Sequence, residues 1–549
     1  MAAAAILGVV VLIGGVTLGI YSLFLAAGNP VTPSRDVVDD IAVELGVFAT
    51  AIGTVVLLTL VSALRWSRRL QAAGFGNLPT VAMHVAVVVE FFIIINLDIR
   101  STVEKTFENY SAFPQLPTAV AAWVLVVVGT VLVLGASFSR PTRGALSNRT
   151  GAIMAVIGVV ACVVATGVAV RAGDDTRYID HRTAAAEAAP SVPNRMGQEK
   201  FRLHLPASAT VVAGGHGFLV GTKIGITAYD GVTGTPRWHY LRPDATNNGV
   251  SLDVDSLVSI ESANVVVAYW YRQGWTAFDA LTGDKLWSDS DFSRGKETGL
   301  SPIRALDKHT MLARGENGAF IRYDARTGRQ LWSAPAEPSS CRPARSKIAV
   351  TSAAVYQVMK CNTGGTASTT IRALDALTGA TIAERDLPNP DPDRTLEVSV
   401  IDDVVSIDWN YRTEPLRHLH FTSPDQLRTA EVTEPVRVIA ADPTSVLTSS
   451  TQERETTLSD VEDPTRSRSV PVAMGALCTP YRVGLLLADE LVSTDHGLQT
   501  WRRDDLVENT PDQGFQSCAL TTLLLAPGTI LIFCRTTIET QQIIGSAPR

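Results

Sequence analysis

Hydrophobic residues are distributed unevenly along this chain of 549 residues. Five long apolar stretches occupy the first 171 positions, whereas the apolar runs beyond position 200 are short and separated by Gly, Asp, Asn and Pro. Each long stretch has about 20 residues, the length that an α-helix needs to cross a bilayer. The pattern therefore predicts a five-helix transmembrane domain over residues 1–171. The stretches cover roughly residues 4–27, 41–64, 80–97, 118–138 and 150–170.

The charges of the connecting segments predict how these helices are oriented. Arg residues lie between the second and third stretches and between the fourth and fifth, whereas the other two connections are acidic or mixed. Cytoplasmic loops of membrane proteins carry the excess of Lys and Arg. We therefore expect a multi-pass protein of the plasma membrane, with its N-terminus in the cytoplasm and everything after residue 171 outside. The excess of Arg over Lys favours a bacterial source.

Two polar residues, His84 and Glu90, interrupt the third apolar stretch. An ionised carboxylate at such a depth costs roughly 2.5–3.5 kcal/mol on insertion scales. The two residues are six positions apart, so they do not share a helix face. Two interpretations stay open: a proton or quinone site, or a neutral Glu90 that is hydrogen-bonded to a neighbouring helix.

The rest of the chain divides into a linker and a β-rich domain. Residues 172–199 contain Ala, Pro and charged residues without a sustained period, which is typical of a linker. From 200 to 549 the runs are short and rich in β-branched residues, which indicates strands and turns.

A phrase recurs in this second domain at intervals of about 50 residues, which indicates a repeat architecture. Its common elements are Asp-x-x-Thr-Gly followed by Trp four residues after the Gly; the fourth copy has Ala in place of the Trp. The four clear copies are GITAYDGVTGTPRW (225–238), GWTAFDALTGDKLW (274–287), AFIRYDARTGRQLW (319–332) and TIRALDALTGATIA (370–383). Weaker copies are found at 418–432, at 453–470 and at 490–501, where Asp495 and Trp501 occur in order.

Each copy predicts a β-hairpin. The Asp can accept hydrogen bonds from the backbone of the turn that follows it. The Gly supplies a left-handed backbone conformation, and the Trp on the next strand can pack against the neighbouring repeat. These predictions concern Asp230, Asp279, Asp324 and Asp375, then Gly234, Gly283, Gly328 and Gly379, and finally Trp238, Trp287 and Trp332.

Hairpins are only marginally stable alone, so the units must pack against each other. The spacing predicts an all-β propeller of eight four-stranded blades, with seven blades as the alternative. Residues 518–545 provide three strands at the end of the chain, and FRLHLPA (201–207) is expected to supply the fourth. Such a closure would remove the open edges of the ring.

Four cysteines flank pairs of predicted neighbouring strands. Cys341 and Cys361 enclose one pair, and Cys518 and Cys534 enclose another. Adjacent antiparallel strands could bring each pair together, so we expect two disulfides, which fit an oxidising exterior. The alternative of metal binding lacks a CxxC motif or a Cys/His cluster.

The phrase Ala-x-Asp-x-x-Thr-Gly-x-x-x-Trp, most complete at 277–287, resembles the repeat of the quinoprotein, or pyrroloquinoline-quinone-like, β-propellers. The resemblance covers residues 200–549 and implies the propeller fold. It does not decide the function, because the family includes both enzymes and binders. The enzymes oxidise alcohols and sugars with pyrroloquinoline quinone and calcium. The binders include a bacterial outer-membrane assembly lipoprotein that lacks the cofactor and uses its propeller as a docking surface.

The layout of the chain is also similar to that of membrane-bound quinoprotein glucose dehydrogenase, which implies a ubiquinone site near His84 and Glu90. The chain departs from the enzymes in having no Cys-Cys pair and only short blades. Asp402, Asp403 and Asp408 are interpreted as turn and surface groups rather than calcium ligands.

The main hypothesis is a non-enzymatic, membrane-anchored propeller without a cofactor, which presents an extracytoplasmic surface to a protein or envelope partner. One alternative is a quinone-cofactor dehydrogenase that feeds electrons to membrane quinone. Another is a ligand sensor or transporter subunit. The formal net charge of −7 provides no global basic field for binding nucleic acid.

Overall fold

The computed structural model divides the chain into a helical unit that contains residues 1–179 and a propeller unit that begins at Asp180. The residues that the structure describes are 2–28, 115–138, 148–172, 179–242, 252, 256–270, 274–288, 292, 305–306, 310–314, 319–334, 340–341, 347–363, 366–388, 395–410, 418–421, 424, 427, 430–432, 436–442, 444–450, 455–460, 466–470, 484–494, 498–509, 521–535 and 540–547.

The described part of the first unit contains three helices: α1 (Ala2–Gly28), α2 (Gln115–Phe138) and α3 (Asn148–Ala172). Two segments, Ala4–Leu23 and Arg149–Ala172, are long and apolar enough to cross a membrane.

The prediction of a five-helix transmembrane domain is therefore wrong for the described residues, which hold three helices and two candidate spans. The apolar part of α2, Pro117–Val133, is shorter than the two candidate spans. The hydropathy of a sequence window does not show where one apolar helix begins and ends, which is why the prediction failed here. The predicted spans 41–64 and 80–97 lie outside the described residues, as do His84 and Glu90.

Glycines bring the helix backbones of α1 and α2 close together. A Cβ at Gly129 would lie 2.9 Å from the Gly8 carbonyl oxygen, and a Cβ at Gly15 would lie 3.0 Å from that of Ala122. Small residues permit such close approach between apolar helices, where dispersion contacts replace the hydrophobic effect.

The propeller unit consists of β-strands in chain order. The first sixteen are β1 (Asp180–Arg182), β2 (Gln198–Pro206), β3 (Thr210–Gly214), β4 (Gly217–Thr222), β5 (Gly225–Asp230), β6 (Pro236–Leu241), β7 (Val258–Ile260), β8 (Val265–Trp270), β9 (Gly274–Asp279), β10 (Lys285–Trp287), β11 (Ala305–Leu306), β12 (Met311–Arg314), β13 (Phe320–Tyr323), β14 (Gln330–Ser333), β15 (Lys347–Val350) and β16 (Ala354–Thr363). The others are β17 (Thr366–Asp375), β18 (Thr381–Pro388), β19 (Thr395–Ile401), β20 (Val404–Asn410), β21 (His418–Phe421), β22 (Ala430–Val432), β23 (Val436–Ala441), β24 (Ser445–Ser450), β25 (Thr456–Asp460), β26 (Ser467–Val470), β27 (Gly484–Leu486), β28 (Glu490–Ser493), β29 (Gln499–Arg502), β30 (Glu508–Asn509), β31 (Thr521–Ala526), β32 (Thr529–Arg535) and β33 (Thr540–Ala547).

These strands form antiparallel sheets that we number as blades. Blade 1 contains β3–β6 with β1 added outside β6, and blades 2 to 7 contain β7–β10, β11–β14, β15–β18, β19–β22, β23–β26 and β27–β30. Blade 8 contains β31–β33 and β2. The prediction of four strands in every blade is wrong for blade 1, because three residues of the predicted linker pair with the outer strand β6.

First strands of neighbouring blades contact each other in most of the ring, and the ring closes where β31 of the last blade contacts β3 of the first. The predicted closing strand is present: β2 pairs with β33, with Phe201 opposite Gly545. Inner strands such as β4, β8 and β9 are buried along nearly their whole length, and apolar clusters fill the spaces between blades. Closure covers the edge that an open series of blades would expose.

The repeated Asp builds the turn between the third and fourth strands of its blade. The Oδ1 atom of Asp230 accepts hydrogen bonds from the backbone N–H groups of Val232 and Thr233 at 2.9 and 2.8 Å, and from the Thr233 hydroxyl at 3.0 Å. Asp279, Asp324 and Asp375 accept equivalent bonds in blades 2, 3 and 4. The turn glycines Gly234, Gly283, Gly328 and Gly379 have φ values of 69°, 79°, 66° and 71°.

The repeated Trp joins its blade to the next. The indole N–H of Trp238 donates a 2.9 Å hydrogen bond to the carbonyl oxygen of Ala280 in blade 2. The ring lies over Gly283, where a Cβ would be only 2.6 Å from it. Trp287 and Trp332 bond Ala325 and Ala376 in the same way, at 2.8 and 3.2 Å.

A different residue makes this joint at the closure of the ring. Phe201 of β2 lies against Gly234, where a Cβ would be 2.4 Å from its ring, and it stacks on Phe218 at 5.8 Å. The joint between blades 8 and 1 therefore keeps the ring-over-glycine contact, although phenylalanine has no N–H to donate.

The copy of the phrase assigned to 490–501 is misaligned. Trp501 lies in β29, the third strand of blade 7, and the turn to the fourth strand runs from Arg502 to Val507. Leu506 holds the turn-glycine position there with a φ of 55°. Asp495 lies outside the described residues.

The predicted disulfide between Cys341 and Cys361 is present in blade 4. Cys534 is also disulfide-bonded, and Cys162 is free. The predicted partner of Cys534, Cys518, lies outside the described residues, so that pairing stays a prediction.

The substitution Trp238→Phe tests the joint. It removes the donor to the buried Ala280 carbonyl, so we expect the free energy of unfolding of the propeller to fall by about 1–3 kcal/mol. Denaturant titration of the purified full chain measures the change. Tyr229→Phe is a matched control, because the half-buried Tyr229 hydroxyl makes no hydrogen bond within the described part of the chain. Equal losses in both variants would contradict the assigned role of the indole N–H.

The disulfide gives a second prediction. We expect Cys341 and Cys361 to resist alkylation in the native protein and to react after reduction. A crosslink that closes a loop of this size stabilises a protein by about 3 kcal/mol. A Cys341→Ser/Cys361→Ser variant should therefore melt at a lower temperature than the wild type under oxidising conditions. An unchanged melting temperature would contradict the stabilising role.

Candidate functional site

A cavity of about 760 Å³ opens at the axis of the propeller unit. Its walls include the first strands of several blades and the turns that follow them. Because the strands are antiparallel, the first and third turns of each blade lie at the same end of the ring, which we call the cavity face. The described lining residues are Ala189, Val192, Ala213, Gly214, Gly215, Ser259, Glu261, Asn264, Asp402, Asp403, Val404, Ala441, Asp442, Leu485, Leu486, Leu523, Leu524, Leu525 and Pro527.

The acidic wall of the cavity includes a strained turn in blade 5. Asp402 and Asp403 connect β19 to β20 with φ values of 47° and 68°, a conformation that costs energy in residues other than glycine. Asp402 Oδ2 accepts a hydrogen bond from the backbone N–H of Ala441 in blade 6 at 3.3 Å. Asp403 accepts bonds from the N–H and hydroxyl of Ser352 in blade 4, at 2.9 and 2.7 Å. The two aspartates thus fasten blade 5 to both neighbours.

These contacts confirm that Asp402 and Asp403 are turn groups, and they also place both residues at the cavity. Asp408 lies apart from this turn, in β20 opposite Glu397 of β19.

Asp442 adds a third carboxylate at the end of β23. It accepts hydrogen bonds from the N–H groups of Thr444 and Ser445, at 2.7 and 2.8 Å, and it forms an ion pair with Arg503 of blade 7. Burial raises the pKa of Asp442, but the hydrogen bonds from Arg503 and Thr444 outweigh burial and hold this pKa below its ordinary value. Asp442 therefore stays ionised at neutral pH.

Another part of the wall is apolar and belongs mainly to blades 7 and 8. Leu486 of β27 and Leu524 and Leu525 of β31 line it, and Val192 extends it toward the cavity face. Ser259 of β7 also lines the cavity; it is 6% exposed, and no group among the described residues hydrogen-bonds its hydroxyl.

A segment that we call the strap, residues 180–197, lies across the cavity face. It begins as β1 beside β6, and Ala184 donates a 2.8 Å hydrogen bond to Thr282 of blade 2. Further along, Ser191 accepts a bond from Gly528 of blade 8, and Asn194 accepts one from Asp489 of blade 7. Part of the predicted linker 172–199 is therefore fastened to four blades of the propeller.

An ion cluster holds the middle of the strap on blade 1. Arg237 Nη1 lies 2.9 Å from Glu187 Oε2 of the strap and 3.7 Å from Asp230 Oδ2. His216 lies between the same carboxylates, with Nδ1 2.9 Å from Asp230 and Nε2 3.8 Å from Glu187. Burial raises the pKa of Asp230, but hydrogen bonds from Thr233 and the nearby His216 lower it below its ordinary value.

The structure thus separates the repeated residues from the cavity. The described Asp, Gly and Trp residues of the four clear copies form turns and joints between blades, and none of them lines the cavity. The described cavity residues occur once each, mainly in first strands, in first turns and in the strap, where the sequence shows no repeated phrase. Two features of the sequence could have indicated the cavity: the Asp-Asp pair at 402–403 and the leucine run at 523–525.

The low pKa of Asp230 predicts a pH dependence of stability. The folded pKa lies below the unfolded value of about 3.9, so the resulting stabilisation is present above about pH 4 and is lost as the pH falls further. We expect the melting temperature of the wild type to drop more steeply in this acidic range than that of Asp230→Asn, whose amide still accepts the turn hydrogen bonds. Scanning calorimetry across pH 2–6 in roughly unit steps measures both slopes. Parallel slopes would contradict the prediction.

Comparison with known proteins agrees with this architecture. The profile of a family described as "Outer membrane protein assembly factor BamB" matches residues 194–299 and 294–408. None of the curated proteins matches the chain.

Three solved structures match this chain at low sequence identity. One, titled "Crystal structure of the eukaryotic initiation factor", has 8% identity and a TM-score of 0.37, with 68% of this chain and 94% of that chain covered. An oligogalacturonate lyase in complex with manganese has 9% identity and a TM-score of 0.32, with coverage of 64% and 99%. Dihydro-heme d1 dehydrogenase NirN has 10% identity and a TM-score of 0.35, with coverage of 70% and 83%. The profile match covers residues 194–408 and agrees with the resemblance of the repeated phrase to the pyrroloquinoline-quinone-like β-propeller repeat.

Proposed function

We propose that this chain is a membrane-anchored scaffold whose propeller binds a protein partner of the membrane or envelope through the cavity face. The observation that carries the proposal is the match of residues 194–408, four blades of the closed ring, to a family described as an outer-membrane assembly factor. A closed ring suits this role because its strands hold many turns in fixed positions at one end.

Two features support anchorage with the propeller outside the cell. The helical unit contains two segments that are long and apolar enough to cross a membrane. The propeller contains the Cys341–Cys361 disulfide, and such bonds persist mainly in oxidising compartments.

We propose that the propeller acts without a quinone cofactor and calcium. Calcium takes six to eight oxygen ligands, and no group of three or more His, Cys, Asp or Glu residues is placed to hold a metal ion in the part of the chain that the structure describes. The cavity carboxylates Asp403 and Asp442 instead bond to neighbouring blades.

The cavity face presents exposed apolar side chains at several third turns. Leu377 is 77% exposed in the turn of blade 4, and Val232 is 44% exposed in that of blade 1. These positions are suitable for detecting a partner because their side chains point away from the blade cores.

Site-specific photocrosslinking tests the proposal. A benzophenone amino acid is introduced at Leu377 of the full chain, which is irradiated in its native membrane and purified under denaturing conditions. We expect one protein to be crosslinked reproducibly from this position. The matched control is the same substitution at Ile224, which lies in the second turn of blade 1 at the opposite end of the ring and is 37% exposed.

Crosslinking of the same protein with equal yield from Leu377 and Ile224 would contradict the assignment to the cavity face. Failure to crosslink any protein from either position, together with no partner retained after mild chemical crosslinking, would overturn the scaffold function itself.

A further inference from the structure

The strap is fastened unevenly to the propeller. Backbone hydrogen bonds hold it at Ala184, which lies beside blade 2, and at Ser191, which lies beside blade 8. Between these two points is a segment that we call the lid, residues 185–189, with the sequence Ala-Ala-Glu-Ala-Ala. Ala189 of the lid is one of the residues that line the axial cavity. A change in the position of the lid would therefore change the opening of the cavity.

The lid itself has little contact with the ring. All five lid residues are exposed, and Ala186, Ala188 and Ala189 form no hydrogen bond with any residue that the structure describes. Four of the five side chains are methyl groups, which can bury only a small apolar area. A segment with few buried apolar contacts belongs to the least stable part of a fold. The lid can therefore open at a low cost in free energy while both ends of the strap stay in place.

One arginine supplies most of the attachment of the lid. Arg237 of β6 donates hydrogen bonds from Nη1 to Glu187 Oε2 at 2.9 Å and from Nη2 to the carbonyl oxygen of Ala185 at 3.3 Å. His216 Nε2 lies 3.8 Å from the same oxygen of Glu187. We call Glu187, Arg237 and His216 the latch. The side chains of Arg237 and His216 are only 15% and 14% exposed, whereas that of Glu187 is 57% exposed, so opening has to release a single exposed side chain.

Asp230 lowers the cost of opening the latch. Its Oδ2 atom lies 2.9 Å from His216 Nδ1 and 3.7 Å from Arg237 Nη1. When Glu187 moves away, Arg237 keeps the Asp230 carboxylate as a counter-ion, so a half-buried charge is not left without a partner. Glu187 returns to water, where a carboxylate loses little because exposed ion pairs are weak. The open and closed arrangements therefore differ by a small free energy that one added charge can change.

We propose that the lid gates the mouth of the axial cavity and that protonation of His216 favours its closed position. Histidine is the side chain whose charge changes between about pH 5 and 8. A protonated His216 adds a second positive charge beside Glu187, so the lid is closed for a larger fraction of the time at about pH 6 than at about pH 8. The other charged groups that face the latch are Asp230 of β5 and Arg237 of β6. Salt should also favour the open lid, because it screens exposed charges.

A second histidine contact lies at the beginning of the strap. His239 Nε2 of β6 is 3.1 Å from Asp180 Oδ1 of β1. This pair can also respond to pH, but it lies outside the lid. A test of the latch must therefore separate the response of His216 from that of His239.

The mobility of a spin label on the lid tests the proposal. A p-acetylphenylalanine residue replaces the exposed Ala188 in the full chain, in nanodiscs of neutral lipid, and carries a nitroxide; this chemistry leaves the native cysteines unmodified. Continuous-wave EPR gives the ratio of mobile to immobile label. We expect this ratio to increase between about pH 6 and about pH 8. The variant Arg237→Gln should increase the ratio about tenfold at the lower pH, because it removes an ion pair and a hydrogen bond to the lid.

Glu187→Gln is the second variant, and it decides the outcome if Arg237→Gln fails to fold. It should increase the mobile fraction and remove most of the pH response, because glutamine has no charge for a protonated His216 to pair with. The Asp180–His239 pair is unchanged in this variant. The matched control is Arg202→Gln, which removes the same charge from an arginine–glutamate pair in β2, where Arg202 Nη2 lies 2.7 Å from Glu199 Oε2. Its label should be as mobile as that of the wild type.

Several results would overturn the inference: equal label mobility in the wild type and in both latch variants, an undiminished pH response in Glu187→Gln, or equal changes in Arg237→Gln and Arg202→Gln. The lid does not depend on the proposed scaffold function. Crosslinking from Leu377 reports on that function alone, and label mobility at position 188 reports on the lid alone, so failure of one can be told from failure of the other.

Discussion

The contact between one tryptophan and the next blade is the interaction on which the propeller depends. Each blade is a small sheet that would be marginally stable alone, so it must bury its faces against two neighbours. The indole ring supplies a large apolar area for this purpose, and its N–H bonds a carbonyl that would otherwise be buried without a donor. The close approach requires glycine beneath the ring, because a Cβ at Gly283 would lie 2.6 Å from Trp238. One residue therefore cannot change without affecting two blades.

The joint that closes the ring also places an aromatic side chain over a glycine, but that side chain has no N–H to donate. The strand β2 comes from the beginning of the propeller unit and completes the sheet that contains the last described strand, so both edges of the series are covered. Phe201 replaces the tryptophan and lies on Gly234. The Asp402–Asp403 turn adds hydrogen bonds that join blade 5 to blades 4 and 6, in a part of the ring where the repeated phrase has no tryptophan. Fixed blades in turn hold the first strands in place, and those strands form the walls of the axial cavity.

The function that we propose uses the parts of the chain that do not repeat. Residues that recur in every clear copy of the phrase form the turns and the joints between blades. The residues of the first turns, which occur once each, are therefore left to determine what binds. This division explains how a family with one repeat can include proteins with different activities. The strap fits the same division, because it adds Ala189 and Val192 to the cavity and belongs to no repeat.

The sequence by itself determined the hairpin unit, its turn chemistry, the closing strand and the Cys341–Cys361 pair, because each depends on residues close together in sequence or on a clear period. It failed where a local pattern does not report tertiary contacts. Apolar length alone overestimated the number of candidate spans among the described helices, the phrase at 490–501 was aligned with the wrong turn, and the linker gave no sign of its pairing with β6. Only the tertiary structure decided that Phe201 makes the closing joint and that carboxylates, leucines and Ser259 from distant blades meet at one axis. Those contacts join residues far apart in the chain, and ring closure is what brings them together.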